Sequence, residues 1–250
     1  MKRVVLLQSN YIPWRGYFAM MDAADEFIVY DSCQYTVNDW RNRNQIKTSN
    51  GRAWLTIPVL TKGRTGQLIT EAQVADHSWV TKHQRSIEQA LGKAEHFAFI
   101  AESLGSAFDL IQQESSLHRI NVTMLRWMAE LLGVTTPITI DTDHGEVEGD
   151  PTGRVAALVA RAGGTTYLTG GRGLDYLRAE PFQDAGIEVE VIDYSTMPLY
   201  PQLHGEFDPA VSAVDLLANL GPSARGGLVA TIRSTAVVDG RVVHASDGAS

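Results

Sequence analysis

The chain has 250 residues, 44% hydrophobic and 20% charged, with a formal net charge of −8 and a sequence pI near 5.3. That length supports a substantial core in one α/β domain, with or without an insert, and the acidic balance excludes a general nucleic-acid binder, which needs a basic face to neutralise phosphates. A single cysteine, Cys33, excludes an internal disulfide and any multi-cysteine metal site. No apolar run reaches bilayer-spanning length, and the N-terminal VVLL is too short for a signal-peptide core, so no membrane insertion and cytoplasmic residence are the expectations.

In chain order, VVLL at 4–7 reads as a buried strand, GYFAMMDAADEF as a helix from its apolar spacing, and FIVY at 27–30 as a second strand. This unit predicts two neighbouring parallel strands with a right-handed crossover. WLTIPV gives a strand over 53–59, with Pro58 holding it to an edge or an end. From 79 to 133 the pattern is helical, broken at Gly92, Gly105 and Gly133. DTDHGEVEGD at 141–150 reads as an exposed acidic connection. PTGRVAALVARAGG then gives a helix with proline near its start and glycines at its stop. TTYLTG and IEVEVIDY read as strands around GRGLDYLRAEPFQDAG, and PAVSAVDLLANLG as a helix closed by Gly221. VVDGRVV suggests a hairpin turning at Asp239–Gly240.

The alternation predicts an α/β, Rossmann-like, mostly parallel sheet with a helical segment in the middle of the chain. The expected organisation is one α/β domain over 1–225 with a helical insert at about 79–133, then a tail or small hairpin over 226–250. Ligands in such sheets collect beyond the carboxyl ends of the strands. Three loops are expected to meet there: Gln8–Gly16, Asp31–Lys47 and Thr169–Asp175.

The Asp31–Lys47 stretch, DSCQYTVNDWRNRNQIK, is polar and carries the lone thiol directly behind a strand. Holding so polar a loop in one shape is costly unless it binds something, which makes it the expected place of chemistry.

LQSNYIPWRGYFAMMDAADEFIVYDSCQYTVNDWRNRNQIKT resembles the opening of the WbqC-like family. TKHQRSI at 81–87, TTYLTGGRGLDYL at 165–177 and YPQLHGEFDPAVSAVDLL at 200–217 resemble its later motifs, so the likeness runs from Val4 to about Gly221. The resemblance implies a place in surface-polysaccharide or natural-product biosynthesis. Ser32 and Cys33 depart from it, standing where the family pattern carries an acidic and an aliphatic residue.

Cys33 is the candidate nucleophile for acyl transfer. It needs a base, because a free thiol titrates near ~8.5. His83 and His204 are the candidate bases, with Asp31 or Asp39 to orient the imidazole. Arg41, Arg43 and Lys47 are candidates to hold an anionic part of donor or acceptor. Gln8, Asn10, Tyr11, Trp14, Gln34, Tyr35 and Trp40 complete the expected substrate-binding set in the first two loops. Arg172 and Asp175 represent the TGGRG turn, whose spacing fits neither a P-loop nor a dinucleotide fingerprint. The carboxylates and histidine of DTDHG do not make the three or four convergent ligands of a zinc site, so no metal and no cofactor are expected.

These residues predict a transferase moving an acyl or aminoacyl group from a thioester-type donor to an amine. The expected partners are a small-molecule amine and a phosphopantetheinyl carrier protein as donor. A nucleotide-dependent enzyme is the alternative, because strand–loop–Gly–helix at 4–22 is laid out like a nucleotidylyltransferase. Trp14 to Tyr17 stand where that class carries histidines, which counts against it. A non-catalytic binding protein is the third possibility.

Overall fold

The computed structural model describes residues 1–245. Val4 and Val5 lie at the heart of strand β1 (Arg3–Leu7), which leads through helix α1 (Arg15–Asp22) to β2 (Glu26–Val29). The chain then leaves the sheet. It forms a separate antiparallel hairpin, β3 (Arg43–Thr48) and β4 (Gly51–Thr56), and three helices, α2 (Ser78–Leu91), α3 (Phe97–Ile111) and α4 (Leu117–Leu131). It returns as β5 (Ile138–Ile140), followed by α5 (Pro151–Arg161), β6 (Thr166–Gly170), α6 (Gly171–Leu174), α7 (Glu180–Asp184) and β7 (Glu188–Asp193). Helix α8 (Ala213–Leu220) and strands β8 (Thr231–Val238) and β9 (Arg241–His244) end the described chain.

The main sheet runs β5-β2-β1-β6-β7-β8-β9. Its first five strands are parallel, and β8 and β9 add antiparallel to one edge. From β1 the chain moves outward through β2 to β5, then crosses to the other side of β1 for β6 and β7. The switch point therefore lies between β1 and β6, and sheets of this kind bind ligands beyond the strand ends at that point.

Alternation along the buried strands divides the core into two faces. Val5, Phe27, Val29 and Leu168 face α1, the inserted helices and α8. Val4, Leu6, Ile28 and Tyr167 face α5 and the segment around α7. The result is a three-layer α/β fold with a mostly parallel sheet and its helices concentrated in the central part of the chain.

Two strands go beyond those the sequence pattern predicts. β3 reads as loop in the sequence because Arg43, Gln45 and Lys47 look solvated, yet Asn44 and Ile46 are buried on one face. β5 has three residues, too short to show a period. The C-terminal hairpin turns at Asp239–Gly240, both with positive φ, and extends the main sheet. Residues 246–250 of the expected tail lie outside the described residues. Among the described residues no helix is long and apolar enough to cross a membrane.

Candidate functional site

β2 delivers Asp31 to the end of the sheet with no exposed surface. Its Oδ1 accepts from the Ser9 N–H of the β1 loop at 2.8 Å, and its Oδ2 accepts from His118 Nδ1 at 2.7 Å. A carboxylate can only accept, so this bond places the proton on Nδ1 and leaves Nε2 as the basic nitrogen of His118. The His118 side chain is 18% exposed, so a buried acid orients an imidazole that still reaches solvent.

Cys33 follows two residues later, partly buried. Gln8 Nε2 donates to its sulfur at 2.8 Å, and the thiol donates to the Tyr30 carbonyl at 3.2 Å. Burial pushes the thiol up to about 11 from an ordinary 9.0, partly opposed by the Gln8 bond and the Arg41 charge. Cys33 is a protonated thiol at neutral pH.

A polar frame fixes the neighbouring loops. Asn121 of α4, fully buried, donates to Ser9 Oγ at 3.1 Å and to the Arg41 carbonyl at 2.8 Å. The Arg41 guanidinium donates to Asn10 Oδ1 and pairs with Asp39 at 3.6 Å. Tyr17 donates its hydroxyl to the Gln8 carbonyl at 3.0 Å. Ile12 adopts a left-handed backbone, φ 36°, unusual for a β-branched residue. Asn44 Nδ2 holds that turn by donating to the carbonyls of Tyr11 and Ile12 at 3.1 and 3.0 Å. On the far side, the Asp141 carboxylate at the end of β5 accepts from the Ser32 N–H at 2.9 Å.

The other expected residues fall into three places. Gln8, Asn10, Asp31, Cys33 and Arg41 come together in the loops beyond the ends of β1 and β2.

A second group sits apart in packing roles. His83 is buried, with Nδ1 3.0 Å from the Tyr11 hydroxyl and its ring packed against Trp79. Burial holds it down to about 4, although the Thr56 backbone bond opposes this. His204 Nε2 meets the Ala90 carbonyl at 2.8 Å, at the end of α2. Lys47 is buried, and its ammonium donates to Gln202 Oε1 at 2.7 Å and to the Glu206 carbonyl. Tyr35 is buried, and burial raises its phenol to about 12.

A third group is exposed or partly exposed. Trp40 and Trp54 lie 5.7 Å apart with Arg43 stacked 4.3 Å over the Trp54 ring. Gln34, Arg172 and Asp175 are exposed. Trp14 is partly buried and packs edge-on against Tyr194 at 4.8 Å.

His118 escaped the sequence reading because it fits an ordinary amphipathic helix. The available signal was Asn121, a polar residue in the apolar stripe of Leu117, Ile120, Met124 and Leu125. Asp141 escaped because its acidic surroundings looked exposed, yet it is 3% exposed.

An uncharacterized protein of Mycobacterium tuberculosis, Rv1507c, is similar to this chain, 42% identical over 224 residues covering 90% of the chain and 96% of that protein. No solved structure matches the chain significantly. The WbqC-like protein family matches residues 8–226, from the loop after β1 to beyond α8, and the chain belongs to that family.

Proposed function

We propose that this site transfers an acyl or aminoacyl group from a thioester donor to an amine, with Cys33 as nucleophile and His118, oriented by Asp31, as base. The observation that carries this reading is the 2.7 Å His118–Asp31 bond on the segment that holds the thiol. It replaces His83 and His204, whose contacts lie elsewhere, as the base of the reaction.

The sulfur attacks the thioester carbonyl as its proton passes to His118 Nε2. Gln8 Nε2, already against the sulfur, donates to the oxyanion that forms. The donor thiol departs with the proton from His118, leaving an acyl-cysteine. The amine then attacks the acyl carbon and gives its proton to His118. Amide formation expels the Cys33 sulfur, which recovers that proton. Arg41, held by Asn10 and Asp39, is the cation proposed to meet an anionic part of the donor, such as the phosphate of a phosphopantetheine arm.

Incubation with a panel of N-acetylcysteamine thioesters, read by intact-protein mass spectrometry and peptide mapping, tests this. The expected result is one acyl adduct on Cys33 that an added amine discharges, with none in Cys33→Ala.

The raised thiol pKa favours one rival: direct attack by the amine with His118 as base and Cys33 as part of the wall. Amide formation that persists in Cys33→Ala and is lost in His118→Asn would establish that rival instead.

A further inference from the structure

The β3–β4 hairpin turns one face inward, where Asn44, Ile46 and Leu55 are buried. Its other face carries three directly opposed pairs, Lys47–Arg52, Gln45–Trp54 and Arg43–Thr56. The protein occupies the first pair itself, bonding Lys47 to Gln202 and the Glu206 carbonyl and Arg52 to Asp208. The other two pairs stay open. Among the described residues Arg43, Gln45 and Thr56 make no side-chain hydrogen bond or ion pair, the Nε of Arg43 included.

Trp54 stands among these polar groups 45% exposed, and Trp40 is 41% exposed with its ring 5.7 Å away, tilted by 33°. A single exposed aromatic is ordinary, but two side by side form a patch of the kind that meets a partner. Trp40 also borders the candidate site: its carbonyl accepts from the Tyr11 N–H at 3.0 Å, and Arg41 follows it in the chain.

The groups around the rings restrict what can cover them. A wholly apolar partner would strip water from three polar side chains and offer them nothing in return. A pyranose has the matching character, because its C–H face lies on an indole while its hydroxyls, both donors and acceptors, point outward from the ring edge. Arg43 lies 4.3 Å over the Trp54 ring and has no counter-ion, since Asp39 is paired with Arg41 and Asp208 with Arg52. An acidic group on the sugar supplies that counter-ion, and a planar carboxylate fits the guanidinium fork through two parallel bonds.

We propose that Trp40, Trp54, Arg43, Gln45 and Thr56 form a binding platform for an acidic sugar, a pyranose carrying a carboxylate. The indoles take the C–H faces of neighbouring sugar units, Arg43 pairs with the carboxylate, and Gln45 and Thr56 bond the hydroxyls. Neither the thiol nor turnover enters, so the platform stands or falls apart from the acyl-transfer reading.

Titration of the wild-type protein with tetrasaccharides of glucuronate, galacturonate, mannuronate and guluronate, followed by calorimetry and saturation-transfer NMR, tests the platform. Their methyl esters keep the sugar face and lose the charge, and acetate keeps the charge without the ring. The expected result is binding of at least one acidic tetrasaccharide, with the strongest transfer to ring C–H protons and with its ester and acetate bound about tenfold or more weakly. Trp54→Ala and Arg43→Gln should each weaken that binding about tenfold, and Gln45→Ala by a smaller factor. Should Trp54→Ala fail to fold, Trp40→Ala replaces it, with the same loss expected.

No binding of any of the four acids, equal binding of acid and ester, or unchanged affinity in the tryptophan and Arg43 variants would each overturn the proposal. So would a dimer in analytical ultracentrifugation that Trp54→Ala separates, because a second copy of the chain would then cover the rings. Acidic-sugar binding that depends on Trp54, without any thioester adduct on Cys33, would sustain the platform and defeat the covalent transfer reading alone.

Discussion

At the scale of single residues, Cys33 and His118 have opposite preparations. The imidazole is oriented by a buried carboxylate and reaches solvent, whereas the thiol is half-withdrawn and bonded at both ends. A thiol moved from 9.0 to about 11 carries about a hundredfold less thiolate at neutral pH. Iodoacetamide should therefore alkylate Cys33 about a hundredfold more slowly than an exposed cysteine peptide at pH 7.5, with the rate climbing towards pH 11. A rate that levels off near pH 8 would contradict this environment. Chemistry at Cys33 must then couple deprotonation to attack, which is the service an adjacent base provides. The thiol, Asp31 and Arg41 were legible in the sequence because they stand in a polar loop behind a strand. His118 was not, because a histidine at a helix start has no distinguishing period and its partner lies 87 positions away in the chain.

At the scale of elements, the β1–α1 connection shapes the site through close contact. A Cβ on Gly16 would lie 2.3 Å from the Trp14 ring, so only glycine lets that indole fold back over the helix start. Trp14 in turn packs on Tyr194, beyond β7. Gly16→Ala should cost about 1–3 kcal/mol and shift tryptophan fluorescence as Trp14 is displaced. Urea melts of wild type and variant with identical midpoints would refute that packing account. The parallel β1–α1–β2 unit was legible because buried strands and an amphipathic helix carry strong periods. The β3–β4 hairpin was half-legible. Its inward residues include Asn44, which serves the carbonyls of Tyr11 and Ile12, so the buried face does not look apolar in sequence.

At the scale of the whole molecule, two cations of the β3–β4 hairpin, Lys47 and Arg52, form an internal clasp. Lys47 bonds Gln202 and the Glu206 carbonyl, and Arg52 makes a two-pronged pair with Asp208, fastening the hairpin to the segment before α8. Sequence shows these charges but not their partners, which lie 155 or more positions away. The buried His83 ties stability to pH. Its folded value near 4 lies below the ordinary 6.5, so between these values the unfolded chain binds more protons. Stability is thus full above pH 6.5 and falls as pH drops towards 4, by about 3 kcal/mol from this group. His83→Gln should flatten that part of the profile in urea melts taken from pH 7 to 4.5. A profile parallel to wild type would show that His83 is not buried in its neutral form.

The proposed chemistry requires that His118, oriented by Asp31, serve the thiol two residues beyond that acid. The rate of Cys33 acylation by a thioester that labels the wild type, compared with His118→Asn, tests this most directly. A fall of about a hundredfold or more, with the fold intact by circular dichroism, is the predicted result. Equal rates in the two proteins would contradict it.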